Sequence, residues 1–220
     1  MPPKPKHTKD EIINAALKIA STNGLDNVKA RDVGDLLCCS SRPIFTFFEN
    51  MDELKNAVYA KAFEFFYSYV NIADGYTPSF KMRGIQMIKF AKDEPNLFRM
   101  LFMTRGDEKP LDVYVKEHMT GFEKDIDGIV SLYGVTRRDA ERVFGQLWVH
   151  AYGICALCVA GACEITENDF TRMLGESFES EILFIKKGTR SLADMSPAAN
   201  SSDEAAVMSR PFTEIAEEEK

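Results

Sequence analysis

Across residues 8–188 the apolar side chains recur at three- and four-residue intervals, and no run alternates long enough to form a strand. That periodicity restricts the chain to packed helices, an all-α fold. Its punctuation places the helix ends. Thr8-Lys9-Asp10-Glu11 is a capping box, in which two side chains satisfy each other's backbone donors, and the stripe Ile12, Ile13, Ala16, Leu17, Ile19 and Ala20 follows it up to Gly24. Short helices are predicted at about 30–37, buried through Val33, Leu36 and Leu37, and at about 41–48. The capping pattern Asn50-Met51-Asp52-Glu53 then opens a long helix to about residue 73. Further helices are predicted at 79–92, 95–103 and 110–133, the last two with Pro95 and Pro110 in their first turns. Two final helices start at Thr136 and Thr166, and Lys186-Lys187-Gly188 ends the second of them.

With 220 residues, 45% of them apolar, such a bundle can fill a core without disulfides or metals. The N-terminus is polar and Pro-rich and no apolar run approaches the roughly 20 residues that span a bilayer, so the expectation is a cytoplasmic chain with no membrane partner. Five cysteines, an odd number split between Cys38-Cys39 and Cys155, Cys158 and Cys163, are not a disulfide framework. The Cys155-x-x-Cys158 spacing raises an alternative reading, a redox- or metal-responsive helical protein. Both thiols sit in an apolar helix without adjacent Lys or Arg, which favours buried, unreactive cysteines, with no metal site and no cofactor. The carboxylates show no pairing that marks hydrolysis, and no enzyme is expected.

The net charge of -7 excludes a protein that coats nucleic acid through charge alone. Its distribution is uneven. Residues 1–60 carry eight Lys/Arg against eight Asp/Glu, whereas residues 191–220 carry two against seven. The sequence divides accordingly into a basic arm at 1–7, a helix-turn-helix segment at 8–50, a helical region at 51–188 and an acidic tail at 189–220, too poor in apolar residues to pack.

Two short helices joined by a tight turn and packed on a longer one make a helix-turn-helix, whose second helix lies in the major groove of double-stranded DNA. Within the second helix Arg42 and Thr46 project opposite the apolar Ile44 and Phe48. They are the candidates for base-edge contact, with Ser41 and Pro43 beside them; pairing of Arg42 with a neighbouring acid is the competing use of that charge. Pro43 disfavours helical geometry at Arg42, so the helix start shifts and Ser40 becomes its candidate cap.

The stretch VGDLLCCSSRPIFTFFENMDEL resembles the TetR family of regulators, ungapped from about Gly24 to Leu54. The order is the family's: apolar helix, turn ending in Ser40, recognition helix with Ile44, Phe45 and Phe48, then a capped helix through Leu54. The resemblance implies an operator-binding repressor, with Lys29, Arg31, Phe45 and Phe47 joining Arg42 at positions that face DNA. The chain departs from the family at Cys38 (usually Gly), Phe45 (Tyr), Phe47 (His), Met51 (Lys) and Lys29 (Ser or Thr), which removes several phosphate contacts and adds one.

The same resemblance implies that the last two helices, with FGQLWVHAYGICALCVAGAC in the first, pair about a two-fold axis as a homodimer. The large soft side chains in the middle of the chain read from the sequence as core, whereas the resemblance implies that they enclose an effector cavity. The candidate lining is Phe98, Phe102, Met119, Phe122, Phe144 and Trp148, with His150 and Tyr152 as its polar groups, which suits a small apolar effector.

Overall fold

A computed structural model describes residues 7–104, 108–119 and 121–187. The basic arm, apart from His7, and the acidic tail lie outside the described residues.

Ten α-helices follow one another, with no strand among the described residues: α1 (Lys9–Asn23), α2 (Ala30–Leu36), α3 (Ile44–Phe47), α4 (Met51–Val70), α5 (Ser79–Asp93), α6 (Pro95–Phe102), α7 (Leu111–His118), α8 (Phe122–Tyr133), α9 (Arg137–Ala160) and α10 (Glu167–Lys187). The fold class is the one the periodicity predicts. The caps form as the sequence specifies. Thr8 accepts from the Glu11 amide while Glu11 accepts from the Thr8 amide, Asn50 caps α4 through the Glu53 amide, and Thr166 and Asp169 close the same reciprocal box at α10.

Helix α1 packs on α4 and α6, so the N-terminal helices share one core with the rest of the bundle. Ile12 and Ala16 of α1, Val33 of α2 and Ile44 of α3 join Leu54, Val58 and Phe66 of α4, all fully buried. Helix α5 lies at the centre, against α4 on one side and along α9 on the other.

Several predicted elements differ. Leu36 is exposed, because α2 presents Val33 and Gly34 inward instead. Helix α4 tightens at Val70 into a 3₁₀ turn over Asn71–Gly75. The single helix predicted at 110–133 is two, α7 and α8, broken by Gly121 at φ 74°, a left-handed conformation that favours glycine. Helix α9 is, by length and apolarity, sufficient to cross a membrane, contrary to the expectation that no such segment exists. Ala140, Val143, Phe144, Trp148, Ala151, Ile154, Cys155 and Val159 of this helix are buried in the bundle.

Candidate nucleic-acid interface and internal cavity

The turn between α2 and α3 depends on a close backbone approach. The Cys39 amide donates to the Gly34 carbonyl at 2.9 Å, and a Cβ on Gly34 would lie 2.8 Å from the Cys39 carbonyl oxygen. Only glycine fits there without moving the turn. Cys38, beside it, has φ 53°, a left-handed conformation that costs a residue with a Cβ about 1–2 kcal/mol. In the sequence this geometry is signalled by Gly34 as well as by the departure at Cys38.

Pro43 begins the recognition turn, and α3 is a single turn, Ile44–Phe47, shorter than predicted. No side chain caps it, so Ser40 does not fill the role expected of it; the Ile44 amide bonds the Ser41 carbonyl and the Thr46 amide the Pro43 carbonyl. Ile44 and Phe48 are buried. Arg42, Phe45 and Thr46, at helical spacing i, i+3 and i+4, are exposed, and Phe45 keeps 49% of its surface open although it is a large aromatic. Ser40 is exposed, and Ser41, Pro43 and Phe47 are half-buried. Lys29, at the N-cap of α2, and Arg31 are also exposed. Arg31 lies 3.8 Å from Asp35, a solvent-facing pair one helical turn apart, whereas Arg42 forms no ion pair among the described residues. The Lys9 ammonium sits 4.9 Å from the Phe48 ring centre and ties α1 to this segment.

A cavity of about 140 Å³ opens between α5, α9 and α10. Of the residues expected to contact an effector, Met119, Phe144 and Trp148 border it. Phe80, Arg83, Met87, Leu174 and Phe178 complete much of its wall and were not foreseen. They belong to helical stripes on α5 and α10, and periodicity marks a stripe as inward without saying where packing fails to close. The remaining predicted residues lie elsewhere. Phe98 and Phe102 pack with Phe66 in the core, and the Tyr152 hydroxyl donates to the Phe102 carbonyl at 2.9 Å. Phe122 meets Phe144 edge to face but borders a separate surface pocket beside Leu111 and Arg142. His150 is half-buried on α9.

Arg83, in the cavity wall, is fully buried together with Asp125. Its Nε donates to Asp125 Oδ2 at 2.5 Å, its Nη2 to Asp74 Oδ1 at 2.9 Å, and its Nη1 to the Val70 carbonyl at 3.2 Å, in the last turn of α4. The Ser79 hydroxyl donates to the other oxygen of Asp125 at 2.6 Å. Burial alone would depress the Arg83 pKa, but the hydrogen bonds and charges of Asp125 and Asp74 outweigh it, and the group is held more strongly protonated than usual. The hydrogen bond from Arg83 in turn draws the Asp74 carboxyl below its ordinary range. A Cβ at Gly121 would collide with Arg83 Nη2, so the break between α7 and α8 also makes room for this guanidinium.

The cysteines offer little chemistry. Burial pushes the Cys155 thiol well above its ordinary value and raises Cys158 as well, which disfavours the thiolates that nucleophilic or ligating chemistry requires. Among the described residues no group of three or more His, Cys, Asp or Glu is placed to hold a metal ion.

No protein-family profile and no curated protein sequence matches the chain. Solved structures do. A TetR-like transcriptional regulator from Rhodococcus sp. RHA1 is similar at a TM-score of 0.56 and 15% identity, over 82% of this chain and 96% of that one. A candidate fatty acid metabolism regulator from Clostridium perfringens is similar at 0.52 and 14% identity, over 82% and 99%. The fatty acid degradation regulator FadR of Bacillus halodurans is similar at 0.51 and 14% identity, over 83% and 100%. At these identities the likeness is one of architecture, and it agrees with the resemblance read from the residues around the turn: the chain has the fold of TetR-like transcriptional regulators.

Proposed function

We infer that this chain is a homodimeric, DNA-binding transcriptional regulator, a repressor released from its operator by a small apolar molecule. The observation that carries the reading is the recognition turn, where Arg42, Phe45 and Thr46 face solvent above a buried Ile44 and Phe48. An exposed Arg on such a turn can pair two donors with guanine in the major groove, worth about 1–3 kcal/mol of discrimination. Lys29 and Arg31 serve as phosphate contacts and Ser40, Ser41, Pro43 and Phe47 as neighbours of the backbone. The fold shared with TetR-like regulators supports this assignment.

Two-fold pairing rests on α9 and α10. Arg142, Gln146, Val149, Gly153, Leu157 and Ala160 recur at three- and four-residue spacing along the exposed side of α9, and α10 leaves Leu183 and Phe184 open. From Val149 to Ala160 this stripe is small and apolar, which suits close packing of a second copy.

Release from DNA rests on the cavity and on Arg83, which spans from its wall to the Val70 carbonyl of α4. Helix α4 begins three residues after α3 ends. A molecule that enters the cavity and binds the DNA-incompetent arrangement more tightly shifts the population, and a shift from 99:1 to 1:99 needs about 5.5 kcal/mol of differential affinity.

Selection of genomic fragments on the purified protein, followed by a mobility-shift assay at stated salt, tests the reading. It is expected to yield a near-palindromic site with half-sites about one helical turn, or a small multiple of it, apart. Failure to enrich any sequence at low salt would overturn the DNA-binding assignment.

A further inference from the structure

The cavity has three properties that narrow what it can hold. The first is size. At about 140 Å³ it is close to the roughly 150 Å³ apolar cavity known to accept benzene, so the occupant is a single six-membered ring with little attached.

The second property is charge. Among the described residues Arg83 is the only buried cation in the wall, and its charge is already taken up by Asp125 and Asp74; with Lys124, 3.5 Å from Asp74 at the surface, the cluster is formally neutral. A carboxylate near Arg83 would therefore find no uncompensated cation and would lose its hydration as well. Lys81 also borders the cavity, but it is exposed at the rim with its ammonium 5.1 Å from the Phe178 ring centre. A solvent-facing pair there contributes at most about 1 kcal/mol.

The third is a donor without an acceptor. Trp148, 7% exposed, lines the cavity, and its indole Nε1–H is buried and has no hydrogen-bond partner. The ring is held by stacking on Tyr152 at 5.3 Å and by an edge-to-face contact with Tyr114 at 5.3 Å, and neither tyrosine accepts a hydrogen bond from the indole N–H. A buried donor left unmade is unfavourable, so a molecule that brings one acceptor to it gains more than the apolar contact alone.

We propose that the cavity binds a small uncharged ring compound bearing a single oxygen acceptor, held by the Trp148 indole N–H. This deepens the effector reading above and rests on it for regulation, but ligand binding can be measured with no DNA present. The probes are three compounds of one ring size: cyclohexanone, which carries the acceptor; methylenecyclohexane, which replaces that oxygen with carbon; and cyclohexanecarboxylate, which carries a charge.

Calorimetric titration of the full chain is expected to give cyclohexanone at least tenfold higher affinity than either of the others. Trp148→Phe, which keeps an aromatic wall and removes the donor, is expected to bring cyclohexanone down to the level of methylenecyclohexane. Leu174→Phe, which fills the space, is expected to weaken all three. Trp148 is the only tryptophan in the chain, so a change in intrinsic emission on adding cyclohexanone comes from this ring alone. Equal affinities for cyclohexanone and methylenecyclohexane, preference for the carboxylate, or no binding of any probe would each overturn the proposal, and the wild-type ranking decides even if Trp148→Phe does not fold. Applied to the selected operator, the same probes separate the two readings. Cyclohexanone that binds without releasing DNA removes the effector role and leaves the ligand class standing, whereas operator binding with an unoccupied cavity leaves the DNA assignment standing alone.

Discussion

Arg83 Nε and Asp125 Oδ2 meet at 2.5 Å with neither side chain in contact with solvent, and this pair joins α5 to α8 beneath the cavity. Removing Asp125 leaves the buried guanidinium with only the partly exposed Asp74 as counter-charge. Asp125→Ala is expected to lower the unfolding free energy by about 3–5 kcal/mol, read by urea denaturation. Replacing both residues together, as Arg83→Met with Asp125→Leu, is expected to cost much less. A double variant as unstable as the single one would mean that Ser79, Asp74 and Val70 depend on the pair for more than charge.

The recognition turn gives two substitutions of opposite sign. Cys38→Gly relieves a Cβ at φ 53° and is expected to raise stability by about 0.5–1 kcal/mol after the flexibility gained in the unfolded chain is deducted. Gly34→Ala drives a Cβ against the Cys39 carbonyl and is expected to reduce both stability and operator affinity. Denaturation midpoints of the two variants falling on the same side of wild type would contradict this account of the turn.

For the side chains proposed to face DNA the expected difference is one of kind. Arg42→Ala should lose preference among sequences, by about 1–3 kcal/mol at one base position, while Lys29→Ala should weaken every sequence alike and lower the salt slope by about one. If Arg42→Ala, Thr46→Ala and Arg31→Ala all keep both affinity and preference, the reading face is somewhere else.

Light scattering is expected to report about twice the 24.8 kDa chain mass. Leu157→Arg and Gly153→Trp, on the exposed side of α9, should shift the sample toward monomer, and deletion of residues 191–220 should not. A wild-type monomer at micromolar concentration would exclude the pairing.

Three carboxyls are held below their ordinary range. The Thr8 amide lowers Glu11, the hydrogen bond from Arg83 lowers Asp74, and the Thr166 hydroxyl and amide lower Asp169. A carboxyl depressed in the folded state adds stability above its unfolded pKa of about 3.9–4.3, and that contribution disappears as pH falls through the lower folded value. The melting temperature is therefore expected to be insensitive to these groups above about pH 5 and to fall below about pH 4. A combined Glu11→Gln, Asp74→Asn, Asp169→Asn variant should decline less steeply, and parallel decline in both proteins would assign the acid limit to other groups.

Much of this was legible before any coordinates, for identifiable reasons. Capping boxes and glycine stops are local chemistry, so Thr8, Asn50 and Thr166 announce their helices directly. The buried sides of α1 and α3 follow from 3.6-residue spacing. The need for glycine at 121 was not fully legible, because one reason for it is the guanidinium of Arg83, some forty residues away in the sequence, which a Cβ there would meet. The cavity was half legible for a similar reason. Large soft side chains on α9 are visible in the sequence, but which of them border empty space depends on how α5 and α10 pass them, and Phe98 and Phe102 close against α4 instead.

One further consequence lies in the junction between α3 and α4. Only Phe48, Glu49 and Asn50 separate the two helices, none of them glycine, and the Glu49 amide and Asn50 side chain are both hydrogen-bonded to Glu53. With Phe48 buried and Glu49 and Asn50 tied to Glu53, a tilt of α4 would carry the recognition turn with it. A 20-residue helix is about 30 Å long, and a tilt of about 5° about the Val70 end sweeps the Asn50 end through about 2.6 Å. That sweep is enough to break a hydrogen bond to a base. The reach of the motion at the recognition turn is thus set by the length of the α4 rod, and an angular change too small to disturb the packing around Val70 becomes a full contact distance at its other end.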